Sequence, residues 1–148
     1  MRARTFLAIW LLFSFYVPMA LAQQTAEGLW TTIDDTTGEK RAVVLMVVHD
    51  GVLSATIESV YPKPGDTGIC SDCPGLFKDK PTKGLQFVWG LRERSPGTWE
   101  GGQILDAKNG KIYNVKMTVK DNKLYVRGYI GIAMLGRTQI WERADKIF

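Results

Sequence analysis

The residues able to do chemistry are few. The 148-residue chain has one histidine and two cysteines. His49 borders Asp50-Gly51, a hairpin-turn pair whose neighbours are exposed by default, so a Ser-His-Asp relay would have to take its base from a turn tip. No G-x-S-x-G, H-E-x-x-H or P-loop pattern occurs. Glu100 and Asp106 are the one carboxylate pair to consider for acid–base work, and nothing sets them apart from ordinary surface acids. The expectation is a protein without catalysis, and no motif calls for a cofactor.

Cys70 and Cys73 form a C-x-x-C within a Pro- and Gly-rich stretch. In an oxidising compartment they are expected to pair, and closing so short a loop stabilises by about 2 kcal/mol on the chain-entropy estimate. That pins a loop without stapling the domain. Thiol–disulfide exchange is the competing reading, although the helix N-terminus and βαβ setting that usually activate such a pair are missing from the pattern. Metal is the weakest, because zinc wants four ligands and only Asp66, Asp72 or the distant His49 could complete the set.

Two further groups point to binding. Arg127, Tyr129, Arg137 and Gln139, with Asp106 and Lys111, lie close to glycines on neighbouring segments, where missing side chains leave room for a polar pocket. Between them, Gly131-Ile132-Ala133-Met134-Leu135-Gly136 is a connection that is almost wholly apolar. Loops normally face water, so Ile132, Met134 and Leu135 must plug the end of the core or form a lip at a ligand entrance.

The elements that would position these residues are strands. After Gln23 apolar residues recur with period two or in β-branched runs, broken by turn residues every eight to twelve positions. The segments are Gly28 to Ile33, Arg41 to Val48, Val52 to Tyr61, Lys83 to Arg92, Thr98 to Leu105, Lys111 to Lys120, Lys123 to Ile130 and Arg137 to Arg143. Between Pro62 and Pro81 prolines and glycines leave no regular element. Eight consecutive strands joined by short turns are best closed into an up-and-down barrel, which removes the unpaired edges of an open sheet. An open sandwich is the alternative.

Ahead of the strands, Arg2 and Arg4 precede an apolar run from Phe6 to Phe13 that continues to Val17 and ends in Ala20-Leu21-Ala22. This is the layout of a cleaved signal peptide over residues 1–22, too short to span a bilayer comfortably, and it predicts a periplasmic or secreted domain over 23–148. Its removal takes the formal charge from +4 to +2, leaving no basic field for nucleic acid. A membrane-spanning barrel is disfavoured, because counting back by twos from Phe148 puts Lys146 and Glu142 on the face that would meet lipid, at up to about 2–4 kcal/mol for a midplane lysine.

Several segments carry a resemblance. Gly101-Gly102-Gln103-Ile104-Leu105-Asp106, Asn109-Gly110-Lys111-Ile112-Tyr113, Val126-Arg127-Gly128-Tyr129-Ile130-Gly131-Ile132 and Gly136-Arg137-Thr138-Gln139-Ile140-Trp141-Glu142-Arg143 belong together with Gly28-Leu29-Trp30 and Cys70-Ser71-Asp72-Cys73-Pro74-Gly75. In combination they resemble the exported bacterial family known as domain of unknown function 2147, over nearly all of the chain after residue 22. One departure is Ala107, where a proline often follows the aspartate. The resemblance implies a lipocalin-like (calycin) barrel and no established reaction. Gly28-Leu29-Trp30 also resembles the lipocalin G-x-W motif, which implies that Trp30 closes the barrel floor against an arginine of the last strand, here Arg143.

The reading is therefore an exported, eight-stranded, lipocalin-like barrel that binds a small apolar or amphipathic ligand, or a lipid, through Arg127, Tyr129, Ile132, Met134, Leu135, Arg137 and Gln139. A redox protein using the cysteine pair, and a module presenting the Pro62–Pro81 loop to an envelope protein, are the alternatives.

Overall fold

The computed structural model describes residues 25–148, and the signal-peptide reading of residues 1–22 lies outside them. The strands are β1 (Gly28–Ile33), β2 (Lys40–His49), β3 (Val52–Val60), β4 (Gln86–Ser95), β5 (Thr98–Asp106), β6 (Lys111–Lys120), β7 (Lys123–Tyr129) and β8 (Arg137–Arg143). Each pairs antiparallel with the next, and β8 returns to β1 through Trp30–Arg143 and Thr31–Glu142, closing the barrel. Closure follows the alternation that the sequence carries, with one face of each strand turned inward.

The two ends differ. The floor end carries the tight turns at Asp50-Gly51, Pro96-Gly97 and Asp121-Asn122. Asp50, Gly51, Asp121 and Asn122 all have positive φ, as a two-residue turn matched to strand twist requires. The rim end carries the other connections, residues 34–39, 61–85, 107–110 and 130–136.

Large side chains fill the axis. Trp30, Met46, Leu53, Leu91, Met117 and Leu124 are fully buried. Phe87 on β4 and Trp141 on β8, from opposite walls of an eight-strand ring, bring their ring centroids within 6.1 Å. The outer wall is polar at mid-height, where Lys116 and Glu100 pair at 2.7 Å.

β4 departs from the simple alternation expected for Leu85, Phe87, Trp89 and Leu91. Its register against β3 shifts twice, Thr56 facing Gln86, Ala55 facing Val88 and Leu53 facing Leu91. The first irregularity lets the adjacent Phe87 and Val88 both be buried. At the second, Gly90 takes φ +79°, and Trp89 leaves the core to stack on Phe77 of the long 61–85 connection, centroids 5.5 Å apart. That connection folds over the rim and outer wall of β4–β6. It contains one 3-10 turn, Gly75–Phe77, and an Ile69–Pro81 bridge.

Candidate functional site

The floor is built as a closure. Trp30 donates its indole N–H to the Ala26 carbonyl at 2.8 Å, and the Arg143 guanidinium lies 3.8 Å from the Trp30 ring. Arg143 also donates from Nη1 to the Glu27 carbonyl at 2.7 Å and from Nη2 to the Thr25 carbonyl. Gly28 makes this possible. Its φ is +108°, and a Cβ there would stand 3.3 Å from Arg143 Nη1. Burial pulls the Arg143 pKa below its ordinary value. With the indole, the cation and the preceding backbone all satisfied, this end is sealed.

The rim holds the sequence-derived candidates, and the β7–β8 register divides them. Val126 faces Gln139, Gly128 faces Arg137 and Leu124 faces the buried Trp141, so Gln139 and Arg137 share the inward row with Trp141. Gln139 accepts from the Trp141 indole N–H at 3.0 Å. Arg137 reaches the β1–β2 connection, donating to Asp35 Oδ2 from Nη2 at 2.7 Å and from Nε at 3.0 Å, and to Thr36 Oγ1 at 3.0 Å. Arg127 and Tyr129 fall in the alternate, outward row.

Arg127 fixes the apolar loop. Its Nη1 donates to Thr138 Oγ1 at 2.8 Å, its Nη2 to the Met134 carbonyl at 2.8 Å and its Nε to the Ala133 carbonyl. The short 3-10 turn Ala133–Leu135 is thus held from beneath by one side chain. Gly136 packs tightly on β7, where a Cβ would meet the Gly128 carbonyl oxygen at 2.5 Å. The loop does not plug the core. Ile130 is 72% exposed, Ile132 59%, Met134 81% and Leu135 78%.

Other rim contacts were less legible. Asp34 accepts from the Thr36 and Thr37 N–H groups at 3.0 and 3.1 Å, which holds its carboxyl below the ordinary range, and Lys108 stands 3.8 Å away. The run Asp34-Asp35-Thr36-Thr37-Gly38 is the signal that could have marked an Asx-type turn with a spare carboxylate for Arg137. Asp106 caps its own turn by accepting from the Lys108 N–H at 2.9 Å, whereas Glu100 sits on the outer wall with Lys116. Lys111 is exposed at the start of β6. His49 lies beside Asp50 at 3.2 Å at the floor end, far from the cysteines.

Cys70 and Cys73 are bonded to each other, only 1% and 3% exposed, and share an apolar cluster with Leu105. The segment rests on the β5–β6 turn. A Cβ on Gly110 would lie 1.8 Å from the Asp72 carbonyl oxygen, so only a glycine admits the contact. Beside it Pro74, Leu76, Phe77, Pro81, Leu85 and Ile112 line an open groove of about 570 Å³ on the outside of the barrel, which the sequence did not disclose. Among the described residues no three His, Cys, Asp or Glu side chains converge as metal ligands, and no helix is long and apolar enough to cross a membrane.

Comparison with known proteins agrees with this architecture. A solved structure described as "Protein HP1028 from the human pathogen Helicobacter pylori belongs to the lipocalin family" superposes with a TM-score of 0.71 at 20% identity, covering 82% of this chain and 84% of that one. At that identity the likeness concerns the fold. No curated protein matches. The family model described as "Uncharacterized protein conserved in bacteria (DUF2147)" matches residues 28–143, from the first glycine of the G-x-W segment to the floor arginine. The sealed floor, the eight-stranded closure and that match together place the chain in the DUF2147 family, with a lipocalin-like barrel.

Proposed function

We propose that this is an exported binding protein that takes a small apolar or amphipathic ligand at the rim of its barrel, without catalysis. The observation that carries the reading is the loop between β7 and β8. Four large apolar side chains there face water while Arg127 donates two hydrogen bonds to the loop carbonyls beneath them and a third to Thr138 Oγ1 on β8. Exposed apolar surface on a rigid scaffold is surface kept available for something to cover. Ile132, Met134 and Leu135 form the lip, Arg137 and Gln139 offer the inward polar edge, and Arg127 and Tyr129 support the loop from outside. Because side chains occupy the axis, the ligand sits at the rim above Phe87 and Trp141 rather than deep in the barrel.

Residues 1–22 and the bonded cysteine pair fit delivery to an oxidising compartment such as the periplasm. The outer wall carries charge at mid-height, as a wall that meets water does. Thiol exchange is disfavoured because both sulfurs lie under their own loop.

The test uses a neutral fluorescent probe, N-phenyl-1-naphthylamine, which brightens in apolar surroundings. Removing half the burial of two such side chains costs about 1.5–3 kcal/mol, so Met134→Ser with Leu135→Ser is expected to weaken binding at least tenfold. Unchanged probe binding by that double variant would refute the rim site. Loss of a co-purifying protein instead of the probe would mean that the lip serves an envelope partner.

A further inference from the structure

The groove under the long connection is a separate feature, on the outer wall and away from the β7–β8 loop. Its lining is apolar, from Pro74, Leu76, Phe77, Pro81, Leu85 and Ile112. Leu76 stands 91% exposed at its edge, the most exposed large apolar residue of the described chain. Trp89, turned out of the core by the irregularity at Gly90, backs Phe77 and stiffens one wall. The bonded cysteines and the seat of Asp72 on Gly110 fix the segment from which Pro74 to Phe77 project. The groove is thus built from a long loop that is anchored on both sides.

Its charge is one-sided. Lys80 and Lys83 line it, and neither forms an ion pair among the described residues, whereas Lys78 is taken up by Asp79 at 3.7 Å and by the Ser71 carbonyl. The volume of about 570 Å³ falls in the range of small-molecule sites, roughly 300–1,000 Å³. An apolar trough edged by two unpaired ammonium groups is complementary to one kind of small molecule. A neutral hydrocarbon would leave both lysines unused, and a purely polar anion would leave Leu76 and Phe77 in water.

We infer that this outer groove, a site separate from the barrel rim, binds a single-chain amphipathic anion, with the alkyl chain along Leu76, Phe77 and Ile112 and the head group on Lys80 and Lys83. The chemistry is shared by a free fatty acid carboxylate and by a lipid-derived phosphate monoester. The site goes beyond the rim reading and does not depend on it.

The experiment is calorimetric titration of the full mature chain with laurate, dodecyl phosphate and 1-dodecanol, each below its micelle concentration. The proteins compared are the wild type, Lys80→Met with Lys83→Met, and Lys80→Arg with Lys83→Arg. The wild type is expected to bind one laurate or one dodecyl phosphate, the tighter of the two indicating the source. The methionine variant is expected to lose at least tenfold for the anions while keeping its dodecanol affinity within twofold, and the arginine variant to restore the anions. Equal anion affinity in wild type and methionine variant, or no saturable binding by the wild type, would overturn the inference. Met134→Ser with Leu135→Ser should leave laurate binding intact. If that variant abolishes it, the groove assignment fails while the rim reading survives.

Discussion

Gly110→Ala separates the docking of the long connection from the barrel itself. At φ +69°, an alanine carries a left-handed penalty of about 1–2 kcal/mol. Its Cβ would also fall 1.8 Å from the Asp72 carbonyl oxygen and 3.1 Å from the Cys73 nitrogen, and because both are backbone no rotamer change relieves the overlap. The Ser71–Cys73 segment must lift. It then uncovers part of Leu105 and the cysteines beneath it, at roughly 1–2 kcal/mol if about half of a leucine-sized burial is lost. The sum is about 2–4 kcal/mol. Gly68→Ala is the matched control, since φ +68° carries the same backbone penalty and nothing lies within 4 Å of its Cβ. Since the backbone penalty is common to both, thermal unfolding followed by circular dichroism should place Gly110→Ala roughly 4–8 °C below Gly68→Ala, at about 4 °C per kcal/mol for a domain of this size. Limited proteolysis should cut Gly110→Ala first between residues 61 and 85. Equal melting temperatures and equal cleavage in the two variants would refute the seating of the loop on the β5–β6 turn, and with it the shape of the groove.

Other perturbations read other parts of the structure. Arg143→Lys keeps a charge but loses the planar contact with Trp30 and one of the two carbonyl bonds, so unfolding in urea should show a loss of about 1–2 kcal/mol, with Arg143→Ala costing more. Gly102→Ala should be far worse than Gly101→Ala in the same assay. A Cβ on Gly102 meets the Trp89 carbonyl at 2.3 Å and the Leu91 nitrogen at 2.6 Å, whereas Gly101 has only its positive φ to lose. The carboxyl of Asp34 is held below its unfolded value of 3.8, chiefly by the Thr37 and Thr36 N–H groups, so it stabilises the fold above that pH and the benefit is lost as pH falls through the folded value. Asp34→Asn should therefore flatten the acid limb of a stability-versus-pH curve below about pH 4, and a limb of unchanged steepness would contradict that role.

Much of the fold was legible because strand period and turn chemistry are local. Gly28–Ile33, Lys111–Lys120 and Arg137–Arg143 have the expected bounds, and the Asp50-Gly51 and Asp121-Asn122 turns sit where their tolerance of positive φ requires. The floor was legible through Trp30 and Arg143, brought together by closure. β4 was read less well, because a strand irregularity is not written in the period. Phe87 and Val88 are both buried, and Trp89 points outward. At the rim, the sequence grouped Arg127, Tyr129, Arg137 and Gln139 by nearness to glycines, but period two could not say which face was inward. The register with Trp141 does, dividing the set into two inward and two outward residues. The groove was invisible for a different reason. Leu76, Lys80 and Ile112 are brought together by a loop whose path depends on contacts distant in sequence, such as Asp72 on Gly110.

The most direct test of the proposed binding role is native mass spectrometry of the protein recovered, without detergent, from the cells that make it. With the outer groove disabled by Lys80→Met and Lys83→Met, the expected spectrum shows a fraction of the chain carrying one small molecule, removable by organic solvent and absent when Met134→Ser and Leu135→Ser are added. Bare mass in both proteins, together with no N-phenyl-1-naphthylamine binding by the wild type, would contradict a ligand-binding rim.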